Sequence, residues 1–198
     1  MKTSPANLWR KSIFFGFDTP IDRSGTASLK WDKYRGRDII PMWVADMDFR
    51  APPAVLEALR HRVDHGVFGY TLAPEELAET VVSTLKRDYR WEIELDWIVW
   101  LPGLVTGLNV TCRALGDDGD DVLTTVPIYP PFLTAPKHSR RNLLTVPLID
   151  SGGRCEFDFD RLESSITPRT RLFILCNPHN PAGRVFSSDE LATLSEIC

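Results

Sequence analysis

The sequence predicts an α/β fold, and two observations support this. From about residue 97 onward, short apolar segments alternate with helix-like stretches, which is the pattern of strands connected by helices. Residues 172–175 form a continuous apolar run, typical of a strand that is covered on both faces, so we expect this strand near the centre of the sheet. The predicted strands are residues 97–100, 122–126, 143–146 and 171–176.

Two helices are predicted before the sheet. Pro52 and Pro53 can begin the first, because proline is tolerated in the first helical turn, and Gly66 ends it. The second begins near Pro74, with acidic residues in its first turn, and a helix near the chain end begins with the capping box of Ser187 and Glu190. The apolar faces of the first two helices consist of Val55, Leu56, Leu59 and Val63, and of Leu77, Val81, Val82 and Leu85.

Composition and charge limit the classes of function. The formal net charge of −4 gives no electrostatic reason to expect nucleic acid or an anionic membrane surface as a partner. The four cysteines form no CxxC or Cys/His spacing, so neither a metal site nor a disulfide framework is predicted. Residues 1–11 lack the apolar region of a signal peptide and no run of about 18 apolar residues occurs, so we expect a cytoplasmic protein with a small-molecule role.

A possible phosphate site follows the first predicted strand. Gly103 and Gly107 would relieve crowding at a turn from strand to helix, and Val110, Leu115 and their neighbours would continue as the helix. The unpaired amides of a first helical turn favour an anion, so the backbone NH groups of Leu104 and Val105 could hold a phosphate. The alternative is that the two glycines serve only close packing of helix and strand.

Two further strand ends carry residues that could bind a flat cofactor. Tyr129 follows the strand 122–126, at the edge where open α/β sheets bind ligands, and its ring could stack on such a molecule. Asn177 follows the strand 171–176 and could donate a hydrogen bond to a ligand. The alternatives are that Tyr129 is a packed turn residue and that Asn177 caps its own turn, although Asn180 fits turn capping better.

These three strand ends resemble those of the fold-type-I pyridoxal-phosphate enzymes, the class I/II aminotransferase superfamily. The resemblance implies a three-layer α/β/α large domain, here incomplete, with residues 51–198 in it and residues 1–50 as an N-terminal arm of a second, small domain. It implies pyridoxal 5'-phosphate as cofactor. Leu104 and Val105 would hold its phosphate, Tyr129 would stack on its pyridine ring, and Asn177 would bind its phenolic oxygen.

Residues 20–50 resemble one branch of this superfamily, the cystathionine β-lyase group that includes the MalY and PatB proteins. FDTPIDRSGTASLKWDKY and PMWVADMDF carry the likeness, and within the first the pattern RxGTxSxKWD matches Arg23, Gly25, Thr26, Ser28, Lys30, Trp31 and Asp32. In the second, residues 43–47 match a substrate-facing loop, in which Val44 and Ala45 would approach the carboxylate of the amino acid. Tyr70, in FGYT, would reach the cofactor phosphate of a neighbouring subunit, which implies a homodimer. The alternative is that Tyr70 packs after its helix.

The resemblance also implies residues that this sequence does not contain. The family's Schiff-base lysine, the aspartate at the pyridine nitrogen and the arginine that clamps the substrate carboxylate would all lie beyond Cys198. The lysines present, at positions 2, 11, 30, 33, 86 and 137, have no family context for that role. We therefore expect an incomplete, inactive chain with exposed apolar surface.

For the full-length protein, the resemblance implies β-elimination from a sulfur-containing amino acid, releasing a thiol, pyruvate and ammonia. The alternatives are an aminotransferase, which shares the cofactor site, and a non-catalytic binding module.

Overall fold

The computed structural model describes residues 16–198, which form two compact units, one ending at Pro74 and the other comprising Glu75–Cys198. Residues 1–11, which include Lys2 and Lys11, and the rest of the first part of the predicted arm lie outside the described residues.

The unit that ends at Pro74 is mostly irregular and contains two described helices. Helix α1 (Leu29–Asp32) is one turn long, and its N-cap is Ser28. Helix α2 (Pro53–His65) ends at Gly66, whose φ of 73° is the left-handed conformation that glycine adopts at a helix end. Both predicted ends of α2 are confirmed. Its predicted apolar face is largely exposed, with 58% of Leu59 and 64% of Val63 accessible to solvent.

The second unit begins with helix α3 (Glu75–Thr84), which continues as a π-helical turn (Leu85–Tyr89) and is followed by a 3₁₀ turn (Leu95–Trp97). The remaining elements alternate along the chain. In order they are α4 (Leu104–Ala114), β1 (Asp121–Val126), α5 (Pro131–His138), β2 (Asn142–Pro147), β3 (Ile149–Asp150), β4 (Cys155–Glu156), α6 (Phe159–Ser165), β5 (Thr170–Ile174) and α7 (Ser188–Ile197). The predicted capping box of α7 is confirmed.

The sheet of this unit is parallel, with strand order β2-β1-β5, and β3 and β4 form a separate antiparallel pair. The side chains of β1 alternate between two cores. Val122 packs with Cys112 of α4 and Phe132 of α5 on one face. On the other face, Leu123 packs with core residues of α6 and α7, among them Leu162. This is the three-layer α/β/α arrangement, and it confirms the predicted fold class.

Two strand predictions are wrong. Residues 97–100 form no strand, because Trp97 ends the 3₁₀ turn and no described strand pairs with residues 98–100, and Val99 is 76% exposed. The apolar run 172–175 belongs to β5, which ends at Ile174 and lies at an edge of the described sheet, while β1 is central. An apolar run indicates that helices cover both faces of a strand, which is true of β5, but it does not indicate how many neighbours the strand has.

Candidate active site

The predicted phosphate turn has the backbone that an anion site needs. Gly103 is the N-cap of α4 with φ 104° and ψ 159°, and no side chain caps the helix. The first amides of a helix have no acceptor within it, so those of Leu104 and Val105 are donors directed outward. The glycine roles differ from our prediction, because a Cβ at Gly103 or Gly107 would meet no atom closer than 3.6 Å. Gly103 is required for its positive φ, and crowding is not the reason for either glycine.

The direction of α4 brings this turn to the carboxyl edge of the sheet. Arg141, just before β2, donates from Nε to the carbonyl oxygen of Cys112 at 3.0 Å, so the last turn of α4 lies where the strands begin. The 11 residues of α4 span about 16 Å and the six of β1 about 20 Å, so the helix crosses most of the sheet. Its N-terminus therefore lies at the edge where β1 and β5 end.

Tyr129 lies at the same edge, in the turn between β1 and α5. Its side chain is 43% exposed, which leaves part of the ring open to a ligand. Its backbone N–H donates to the carbonyl oxygen of Asn180 at 2.9 Å. This bond joins the turn after β1 to the turn after β5, so the structure brings the predicted aromatic and amide sites to adjacent turns.

Asn177 lies three residues beyond the end of β5, and its amide group has a defined orientation. Its Oδ1 accepts a hydrogen bond from the backbone N–H of Phe186 at 3.2 Å. Phe186 is buried and stacks on Phe157, with 4.0 Å between ring centroids, so this donor is firmly placed. The side-chain oxygen therefore holds a distant segment instead of capping its own turn, and Nδ2 is left as a donor.

In the other unit, the two segments that resemble the lyase branch are joined by a cluster that we call the Asp48 clamp: Asp48, Asp46, Arg23, Lys30 and Trp31. Asp48 accepts from Lys30 Nζ at 2.6 Å, from Arg23 Nη1 at 2.7 Å and from Trp31 Nε1 at 2.8 Å. These three donors, with Lys30 the strongest, hold the pKa of the Asp48 carboxyl well below its usual range. Arg23 Nη2 also donates to Asp46 at 2.8 Å.

The loop before the clamp has a strained backbone. Val44 has φ 56°, in the left-handed region, where a Cβ crowds the following carbonyl and costs about 1–2 kcal/mol per residue. The carbonyl oxygen of Val44 accepts from the N–H of Asp46 at 2.9 Å, closing a tight turn around Ala45. Val44 and Ala45 are both exposed.

The remaining residues considered in the sequence are Tyr70 and the lysines. The side chain of Tyr70 is fully exposed, so the structure does not support the alternative in which it packs after α2. Lys30 belongs to the Asp48 clamp, Lys33 Nζ lies 4.1 Å from the ring centroid of Trp43, and Lys86 Nζ lies 3.0 Å from Glu92. Lys137 is in the last turn of α5, at the edge opposite Tyr129.

Sequence reasoning did not assign roles to Asp46 and Asp48. The signal that could have found them is the pair of alternating acids in ADMD together with Arg23 and Lys30 upstream. Across residues 16–198, no group of three or more His, Cys, Asp or Glu could hold a metal ion. No described helix has the length and apolar character to cross a membrane.

Comparison with known proteins connects this geometry to a family. Residues 37–198 match the family model "Aminotransferase class I and II". Cystathionine beta-lyase PatB of Bacillus subtilis is 42% identical over 187 residues, which is 92% of this chain and 48% of that protein. The chain thus spans about half the length of the curated relatives it matches.

Solved structures give the same result. The crystal structure of OvoB is 42% identical with a TM-score of 0.86, covering 92% of this chain and 48% of that one. The pyridoxal-phosphate-bound C-S lyase of Staphylococcus hominis is 39% identical with a TM-score of 0.83, covering 91% and 47%. N-succinyldiaminopimelate aminotransferase of Mycobacterium tuberculosis is less similar, with 28% identity and a TM-score of 0.72 over 78% and 41%. The chain belongs to the class I and II aminotransferase family, and its relatives include cystathionine β-lyases and C-S lyases.

Proposed function

We propose that this protein, at the full length of its relatives, is a pyridoxal-phosphate-dependent carbon-sulfur β-lyase. One structural observation carries the cofactor part: a hydrogen bond from Tyr129 N–H to the carbonyl oxygen of Asn180 joins the turns that follow the parallel strands β1 and β5. The start of α4 is inferred to lie at the same edge. The lyase part is supported by the likeness of residues 20–50 to the cystathionine β-lyase group and by the higher identity to a cystathionine β-lyase than to an aminotransferase.

The residues at the sheet edge fit the cofactor. The amides of Leu104 and Val105 and the positive end of the α4 dipole suit a phosphate dianion. The half-exposed ring of Tyr129 offers a stacking face for a pyridine ring. Because Asn177 Oδ1 already accepts from Phe186, Asn177 would donate from Nδ2 to the phenolic oxygen. Pyridoxal phosphate, when bound there, supplies an electron sink, while the protein binds and orients it.

The substrate in this proposal is cystathionine or another cysteine conjugate. The backbone groups of Val44 and Ala45 bind its α-carboxylate. The net reaction is RS–CH₂–CH(NH₃⁺)–COO⁻ plus water, giving RSH, pyruvate and ammonium. The bond broken is Cβ–S, the sulfur leaves with its electron pair and takes up a proton, and water replaces the amino nitrogen. No oxidant or reductant is required.

Domain organisation and assembly follow from the same family assignment. We propose that residues 1–50 are the arm of a small domain and that residues 51–198 belong to the large domain. The protein is a cytoplasmic homodimer, in which the exposed Tyr70 reaches the cofactor phosphate of the neighbouring subunit. Residues 1–198 alone do not turn over, because none of their lysines has the family context of the Schiff-base lysine.

Pyruvate release tests the proposal. The full-length protein, supplied with pyridoxal phosphate and cystathionine, should release pyruvate and thiol in equal amounts, and the 198-residue chain should release neither. An aminotransferase would consume the amino acid only when a 2-oxo acid acceptor is added, with no thiol released. A non-catalytic binding module would change the cofactor absorbance and release nothing. Either result would refute the lyase assignment.

A further inference from the structure

We propose that Asp48 is a positioning residue, which holds the strained Val44–Ala45 loop in the conformation that binds the substrate carboxylate. The proposal rests on the proposed function and extends it, because the RxGTxSxKWD motif has no role in the chemistry described above. In the structure, that motif provides the donors that hold the loop.

The contacts lie immediately after the loop. The carbonyl oxygen of Asp46 accepts from Lys30 Nζ at 2.9 Å, and that of Met47 accepts from Arg23 Nη1 at 3.3 Å. The Asp48 carboxylate then accepts from both of these cations and from Trp31. Three consecutive residues are therefore tied to the motif through backbone and side chain together.

The contacts on the other side of the loop are aromatic. Trp43 precedes Val44, and its ring lies under Lys33 Nζ, 4.1 Å from the centroid, and edge-on to Tyr34 with centroids 6.5 Å apart. The exposed residues Val44 and Ala45 thus lie between two segments that are both held by side-chain contacts. An isolated chain would avoid the left-handed conformation at a β-branched residue such as Val44, so these contacts are what maintain it.

The donors of the clamp come from a rigid local structure. Gly25 N–H donates to Asp32 Oδ1 at 2.7 Å, and the Thr26 hydroxyl donates to the carbonyl oxygen of Arg23 at 2.7 Å. These bonds fix the turn that carries Arg23, while α1 carries Lys30 and Trp31. Lys30 is 9% exposed despite its charge, and such a buried ammonium requires a carboxylate partner. Asp48 is that partner.

The test combines steady-state kinetics with a rescue experiment in the full-length enzyme. Asp48→Asn should raise KM for cystathionine at least tenfold and change kcat, per cofactor-loaded site, less than threefold. When Val44→Gly is added to Asp48→Asn, at least a third of the increase in KM should be reversed, because glycine adopts positive φ without strain. Adding Val44→Ala should reverse much less of it, because alanine retains the Cβ. Asp38→Asn, an exposed acid of the same unit, is the matched control and should leave KM unchanged.

Several outcomes would overturn the proposal. They are a KM for Asp48→Asn within twofold of wild type, a loss confined to kcat, and equal rescue by glycine and alanine. If Asp48→Asn does not fold, Trp31→Phe replaces it, because it removes a single donor and keeps an aromatic ring. It should raise KM about threefold, and an unchanged KM contradicts the proposal.

A second measurement separates this proposal from the proposed function. Asp48→Asn should be cleaved by chymotrypsin after Trp43 or Phe49 at least tenfold faster than wild type, and Asp38→Asn should not. If the wild-type enzyme releases no pyruvate, the lyase assignment fails, but the cleavage rates still decide whether Asp48 holds the loop. Equal cleavage rates for Asp48→Asn and wild type refute the clamp even in an active lyase.

Discussion

Two substitutions at Asn177 should rank in one order by free energy of unfolding and in the opposite order by affinity for the cofactor. Asn177 Oδ1 accepts from the N–H of Phe186, and in our proposal its Nδ2 donates to the cofactor. Asn177→Asp keeps an acceptor for Phe186 and replaces the donor by a second carboxylate oxygen. Asn177→Ala removes both groups. The two substitutions therefore separate the two functions of one side chain.

The magnitudes follow from the contacts. Loss of the 3.2 Å bond to Phe186 should lower the free energy of unfolding of Asn177→Ala by about 1 kcal/mol, and Asn177→Asp should stay within about 0.5 kcal/mol of wild type. A hydrogen bond to a charged group contributes about 1.5–3 kcal/mol, so Asn177→Ala should weaken cofactor binding about 10- to 150-fold. Asn177→Asp should bind more weakly still, since it places a negative charge against the phenolic oxygen.

Urea unfolding of the apo-protein and titration with pyridoxal phosphate, followed by absorbance, measure the two quantities. Asn180→Asp is the matched control, because it makes the same chemical change three residues away and should alter the dissociation constant less than twofold. The reasoning is refuted if Asn177→Asp is less stable than Asn177→Ala or binds the cofactor more tightly than it.

Three further predictions concern the fold. Thr124 is fully buried and donates to the carbonyl oxygen of Ile174 at 2.8 Å, so Thr124→Val should lower the free energy of unfolding in urea by about 1 kcal/mol, and an unchanged midpoint would contradict this. Gly116→Ala should destabilise more than Gly119→Ala in the same assay: both have positive φ, but only at Gly116 would a Cβ meet another atom, at 2.8 Å. Burial lowers the pKa of His179, so the unfolded state protonates first, and wild-type stability should fall as the pH drops below about 6.5. A His179→Leu variant should lose less over that range, and parallel pH profiles would refute this cause.

The parts of the fold that sequence predicted correctly depend on local rules. Ser187 and Glu190 stand three residues apart, and that spacing is sufficient to form the capping box of α7. Residues 97–100 were predicted wrongly because a strand requires a partner, and pairing is set by distant parts of the chain. The edge position of β5 was missed for the same reason. An apolar run indicates only that helices cover both faces of a strand, and it carries no information about neighbouring strands.

The candidate site likewise has features that local rules predict and features that depend on distant residues. Placing Tyr129 and Asn177 at one edge required only the rule that parallel strands end together. The orientation of the Asn177 amide depends on Phe186, nine residues later, and the Asp48 clamp depends on Arg23, 25 residues earlier. Side-chain contacts over such separations are outcomes of folding, and residue spacing does not predict them.

In our proposal the two units bind different groups: residues of the sheet edge bind the cofactor, and the Val44–Ala45 loop binds the substrate carboxylate. In our proposal, the backbone amide of Leu104 and the ring of Tyr129 hold the phosphate and the pyridine ring, which are the same in every enzyme that uses this cofactor. They make no contact that distinguishes one amino acid from another. The Val44–Ala45 loop does not distinguish them either, because every amino acid carries the α-carboxylate that this loop binds in our proposal, but its arrangement is fixed before the substrate arrives and so affects how tightly any amino acid binds. The clamp residues lie in the segment that resembles the lyase branch. Exchanging residues 20–50 between a lyase and an aminotransferase should therefore change KM for both substrates more than the affinity for the cofactor.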